Sequence, residues 1–144
     1  KINLEVFHTS AGKFDLLLNG NYYVYNMKNE TEPWNMPDWD GTLTIGYNIS
    51  ERLNVAAEIF LIGPRKALII ETLFNDSSVN STNSPFKSYN LDTAFDLNVK
   101  GNYKITEKFS AFANLNNFGF QKYERWFGYP VQSLNFLVGV SYAF

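Results

Sequence analysis

The sequence contains no cysteine. Disulfide frameworks and thiolate metal sites are therefore excluded, and the redox compartment is unconstrained. Histidine occurs once, at His8, which removes most catalytic dyads and imidazole metal clusters. No apolar run approaches the roughly 18 residues that a transmembrane helix needs. Neither sign of charge prevails, with 12 Lys and Arg against 14 Asp and Glu, so the basic stripe of a nucleic-acid groove is missing. Phosphate-cradling loops of the GxGxxG or GxxxxGK[ST] type are absent as well. The N-terminal KINLEVFHTS is already a strand pattern, so any export signal would lie upstream of it.

Aromatic residues, at 17 % of the chain, and asparagine are what the sequence has in quantity. Rings favour strands, and Asn favours turns and wet surfaces. Alternation with a period of two dominates, and helical spacing is hard to find. Leu134, Phe136, Val138, Val140, Tyr142 and Phe144 form one apolar row. Tyr89, Leu91, Phe95, Leu97, Val99 and Tyr103 form another, interleaved with Asn90, Asp92, Asp96, Asn98, Lys100 and Asn102. The stretches from Phe14 to Tyr25, Leu43 to Ile49, Leu53 to Leu61 and Phe109 to Leu115 repeat the theme.

The connections are of two kinds. GYNISERLNV at 46–55 and NYKITEKFSA at 102–111 each place Ile-Ser/Thr-Glu-Arg/Lys between two strands, a repeated tight hairpin. The segments at 25–38, 75–88 and 120–132 are long and polar or aromatic. Short turns at one end and long loops at the other describe an outer-membrane β-barrel. Counting back from Phe144 gives strands at 133–144, 107–119, 88–105, 53–74, 39–49, 13–26 and 1–9. Here 53–74 crosses once, as one long strand interrupted by Gly63-Pro64. The expected fold is therefore all-β: an antiparallel transmembrane barrel within one domain, 1–144, comprising the C-terminal seven or so strands of a larger barrel. Splitting 53–74 at Gly63-Pro64 would instead give a complete small eight-stranded barrel.

The same alternation fits a soluble sandwich or a lipocalin-like barrel. Long strands and rings at both strand ends favour lipid. Phe14, Tyr47, Tyr103, Phe109, Tyr142 and Phe144 fall at the short-turn end, and Tyr22, Tyr25, Trp39, Tyr89 and Trp126 at the other. Asp15, Glu58, Asp92, Asp96 and Lys100 belong to the opposite face, which suits a watery or plugged lumen.

Three features together resemble the C-terminal barrel region of TonB-dependent-receptor-like outer-membrane proteins of the Bacteroidetes type. They are Glu32-Pro33-Trp34 with Pro37 before a strand, the paired hairpins, and NLNNFGFQKYERWFGYPVQSLNFLVGVSYAF at 114–144. The resemblance implies a C-terminal assembly signal at Gly139, Tyr142 and Phe144, with Leu137 where that signal carries a polar residue. It implies an outer-membrane transporter or receptor whose uptake is coupled to a TonB-type protein. Its implied partners are outer-membrane lipid, the barrel assembly machinery and a surface lipoprotein. A non-transporting barrel serving as a platform in an envelope complex is the alternative.

No catalytic set, cofactor or metal site is expected. Asp92 and Asp96, on one strand, would stand about 13 Å apart at roughly 3.3 Å per residue, too far for a retaining glycosidase pair or a shared metal. The loop rings Tyr123, Trp126, Phe127 and Tyr129 are the best binding candidates, since exposed aromatics stack on sugars or meet partners. The same rings could instead anchor in the membrane interface.

Overall fold

The computed structural model describes residues 1–10, 12–70 and 86–144. Among them there is no helix, and the strands are antiparallel. One seven-stranded sheet carries β1 (Ile2–Ser10), β2 (Phe14–Tyr22), β3 (Trp39–Asn48), β4 (Leu53–Ile62), β7 (Ala94–Lys104), β8 (Phe109–Asn116) and β11 (Asn135–Tyr142) in that spatial order. A second, two-stranded ribbon pairs β5 (Arg65–Ile70) with β6 (Phe86–Leu91), and a small hairpin pairs β9 (Glu124–Trp126) with β10 (Tyr129–Pro130). The main sheet is open, with β1 and β11 as its two edges. It is a meander of sequential neighbours, a partial barrel wall.

Register converts the alternation into two faces. Leu16, Ile45, Ala57, Val99, Leu115 and Phe136 are directly opposed across six strands. Val6 and Leu18, Leu43 and Ile59, and Ala113 and Val138 extend the same surface. Among the described residues no second layer covers it. Phe136, Val138 and Val140 are 73 %, 65 % and 69 % exposed, and no large side chain among the described residues is fully buried. An apolar surface of this extent is far beyond what a soluble monomer leaves bare. The other face carries Asn3, Asn19, Asn21, Asp40, Asn54, Glu58 and Lys100. Asn21 donates to Asp40 Oδ1 at 2.7 Å and accepts from Asn3 at 2.8 Å, and Lys100 meets Glu58 at 2.9 Å. A hollow of about 370 Å³ lies mostly against this polar side, beside Phe7, Asp15, Leu17, Thr44 and Asn54.

The repeated turn motif has one physical basis. Ser50 Oγ accepts the Arg52 and Leu53 N–H groups at 3.3 and 3.1 Å. Thr106 Oγ1 accepts those of Lys108 and Phe109 at 3.3 and 3.0 Å. A hydroxyl two or three residues upstream thus replaces a backbone partner in both turns. The turns also touch, since Lys104 N–H donates to Arg52 O at 2.7 Å. At this short-turn end Phe14, Tyr47, Tyr103, Phe109 and Tyr142 stand on the apolar face. Tyr142 packs on Phe109 at 4.8 Å and on Phe144 at 5.2 Å. Eight residues further along, Tyr22 and Trp39 are register partners. The two ring levels are about 27 Å apart along the strand at ~3.4 Å per residue.

The long strands expected at 53–74 and 88–105 are each divided. The breaks are Gly63-Pro64, between β4 and β5, and Asp92-Thr93, between β6 and β7. Proline has no N–H for the ladder. Gly63 leaves room for the Trp39 indole, where an added Cβ would lie 2.8 Å from Nε1. Pairing resumes beyond both breaks, from Ile62↔Ala94 to Arg65↔Leu91. The wall count therefore stays at seven, and β5–β6 is an extension of the same hairpin. Residues 71–74 of the expected 53–74 strand, and 75–85 of the expected long connection 75–88, lie outside the described residues.

Filling the Gly63 notch is a direct test. Gly63→Val should cost about 1–3 kcal/mol through overpacking against Trp39. Gly20→Ala, where an added Cβ meets nothing within 4 Å, should be close to neutral. Urea-dependent refolding followed by tryptophan fluorescence separates the two.

Candidate functional site at the long-loop end

Burial in this molecule is concentrated where the wall meets the long loops. Among the described residues, Ile62, Ala67, Leu91 and Ala94 are the buried apolar residues, and Arg65 and Asn117 the buried polar ones. All six flank the break or the start of the 117–134 loop. The loop is held there by side chains. Asn117, in the left-handed region at φ 51°, donates from Nδ2 to Gln121 O at 2.7 Å and Gln132 O at 3.0 Å, and accepts Gln121 N–H at 3.0 Å. One amide thereby clips both ends of the loop to the end of β8. Tyr123 donates its hydroxyl to Asp96 Oδ2 at 3.1 Å. Arg65, only 5 % exposed, donates from a terminal nitrogen to Glu124 O at 2.8 Å. Burial pushes the Tyr123 phenol above its ordinary pKa, and the Asp96 carboxylate adds to the rise.

The four loop rings divide into two pairs. Tyr123 is bound to Asp96, and Phe127 packs edge-on against Tyr89 of β6 at 4.7 Å. Trp126 and Tyr129 are register partners of the β9–β10 hairpin, 55 % and 74 % exposed. Gly128, at φ 77°, makes the turn between them, and its N–H is accepted by Glu124 Oε2 at 3.0 Å. Asp15, Glu58, Asp96 and Lys100 lie on the polar face of the wall. Asp92, expected on that face, stands instead in the break between β6 and β7, because the ladder is interrupted opposite Pro64. Gly139 also faces the polar side, under the Phe112 ring, where an added Cβ would be 2.5 Å from Cζ. Tyr142 and Phe144 lie on the opposite side and contact each other.

Asp92 lines a cavity of about 780 Å³ that also takes in Tyr23, Tyr25, Asp38, Lys66 and Asn90. Its outer wall is the 23–38 loop. That loop is tied to β5 by Asn35 N–H donating to Lys66 O at 2.7 Å and by the Lys66–Glu32 ion pair. Tyr23 and Tyr25 stack at 6.1 Å, with their planes 13° apart. Tyr23 donates to Asp40 Oδ2 at 2.8 Å, and Tyr25 to Pro37 O at 2.7 Å. The hydrogen bond to Asp40, with some burial, holds the Tyr23 phenol above its ordinary pKa; burial and then Asp38 raise that of Tyr25. Sequence reading missed this cavity and the Asn117 clip. Its only local signal was the Asn116-Asn117 pair before Phe118-Gly119, a composition that favours the left-handed conformation.

Asn117→Ala should release the loop at a local cost of about 1–3 kcal/mol, since two carbonyls and an N–H lose their partner. Tryptic cleavage after Lys122 and Arg125 should quicken, while the heat-modifiable mobility of the folded wall stays unchanged. The raised Tyr123 phenol adds a pH signature. Its stabilising share is complete below the ordinary tyrosine value of about 10 and is lost as pH climbs through the higher folded value. The same digestion should therefore show the loop opening only in the alkaline range.

No protein-family model matches the chain, and no relative is found among the curated proteins. Solved structures do match. The ferripyoverdine receptor of the outer membrane of Pseudomonas aeruginosa superposes with a TM-score of 0.76 at 14 % identity, over 97 % of this chain and 19 % of that one. The siderophore receptor PirA from Acinetobacter baumannii gives 0.78 at 14 % identity, over 99 % and 21 %. The ferric-catecholate import receptor Fiu from E. coli K12, in its open form, gives 0.68 at 16 % identity, over 97 % and 20 %. The chain thus spans about a fifth of the length of these receptors. Its fold is that of a portion of their antiparallel transmembrane β-barrel.

Proposed function

We propose that this chain is a barrel portion of an outer-membrane transporter or receptor of the TonB-dependent type. The single observation that carries the reading is a predominantly apolar face shared by all seven strands, backed by a polar face. In hydrocarbon every backbone N–H and C=O must be paired within the protein, which a continuous antiparallel wall achieves. The two ring levels then sit at the headgroup regions, and the polar face with Asp15, Glu58, Asp96 and Lys100 looks into the lumen. Short turns face the periplasm, and the cavity and the Trp126–Tyr129 hairpin face outward. Gly139, Tyr142 and Phe144 serve as the assembly signal read by the barrel machinery. Coupling to a TonB-type protein, a surface lipoprotein partner and the Bacteroidetes affinity rest on the resemblance of the 114–144 segment.

Two adjacent residues test the membrane assignment. Leu43→Arg places a charge on the apolar face and should cost about 2–4 kcal/mol of folding into a bilayer. Thr44→Arg, on the polar face opposite Glu58, should be tolerated. Equal costs would remove the two-sided reading. For transport, the full-length protein should restore cargo uptake to a deletion strain only while the inner membrane is energised. Uptake indifferent to de-energisation would remove the TonB coupling and leave the barrel.

A further inference from the structure

We infer that the long-loop cavity is a site for an organic cation, a ligand carrying ammonium or guanidinium groups, with Tyr23 and Tyr25 as its seat and Asp38 and Asp92 as its counter-charges. This deepens the receptor reading and rests on it for the cavity's outward placement. Four carboxylates, Glu30, Glu32, Asp38 and Asp92, line the cavity against two cations, Arg65 and Lys66. Setting aside the Lys66–Glu32 ion pair leaves Glu30, Asp38 and Asp92 against the single guanidinium of Arg65, which is buried and donates to Glu124 O. Asp38 and Asp92 are both exposed, and neither side chain has a hydrogen-bond or ion-pair partner among the described residues.

The aromatic half of the lining points to the same charge. The negative face of a tyrosine ring attracts cations, and one already sits there: Lys1 Nζ lies 5.5 Å from the Tyr23 ring centroid. Asp40, bonded to the Tyr23 hydroxyl, adds negative charge beside that ring. A metal ion is the rival occupant. Yet among the described residues no three acidic or imidazole groups converge as a metal site requires. Dispersed carboxylates around stacked rings suit an extended cation instead. The cavity, at about 780 Å³, is of the size that holds small molecules.

Spermidine, agmatine and citrate, titrated by calorimetry into the full-length protein purified in detergent, test the site. Spermidine and agmatine should bind saturably, and more weakly as salt is raised, while citrate should not. Asp38→Asn with Asp92→Asn should weaken binding about tenfold or more. Tyr23→Leu should weaken it about threefold or more, with Tyr23→Phe, which keeps the ring, staying near wild type. Lys66→Gln frees Glu32 and should tighten binding about threefold, a gain that misfolding cannot produce. Citrate binding as well as the amines, or amine affinity unchanged in the double Asn variant and in Lys66→Gln, would overturn the assignment. Because this assay needs no transport, its failure would leave the membrane assignment standing, and loss of uptake would leave the binding result intact.

Discussion

A sheet one layer thick has nowhere to hide its apolar side chains, and everything else in this molecule follows from that. In a sandwich each sheet shelters the other, and buried large residues mark the seam. Here directly opposed residues from Leu16 to Phe136 make one continuous apolar surface, and among the described residues no large side chain is fully buried. The backbone is satisfied laterally, strand to strand, and the apolar side chains must find their environment outside the chain. Stability therefore depends on the medium more than on internal packing.

That dependence explains how much was legible in advance. Period-two alternation survives in single-layer sheets because each face meets one uniform environment, so rows such as Phe109, Ala111, Ala113 and Leu115 read cleanly. The two hydroxyl-centred turns were legible because their bonds span only two or three residues. The wall count held even where the strands are divided, since the breaks at Gly63-Pro64 and Asp92-Thr93 face each other. The individual strand ends did not. The alternation continues through Asp92, so its local pattern reads as strand; the interruption is imposed by Pro64 across the ladder.

The long-loop end follows other rules. Its bonds join residues far apart in sequence: Arg65 reaches Glu124 across 59 positions, and Tyr123 reaches Asp96 across 27. No periodicity encodes such pairings. They are chosen by what the fold brings close; burial partners most of the polar groups, while Arg65 Nε and Asp96 Oδ1 stay unpartnered among the described residues. The loop aromatics illustrate this. As a sequence cluster, Tyr123, Trp126, Phe127 and Tyr129 look equivalent, yet two are spent fastening the hairpin and two remain exposed. Fastening also reduces the freedom that Trp126 and Tyr129 would lose on meeting a partner.

The paired interruption at Gly63-Pro64 and Asp92-Thr93 removes two residues from each strand and so leaves the alignment of the hairpin unchanged on either side. The wall and the ribbon consequently share one register, and the ribbon is held in place by its ties to the neighbouring loops. The β5–β6 ribbon could lengthen or shorten two residues at a time without shifting a single partner in the wall. Change in the ribbon and constancy of the wall are thereby compatible, and the same junction is a natural grafting point for a foreign segment.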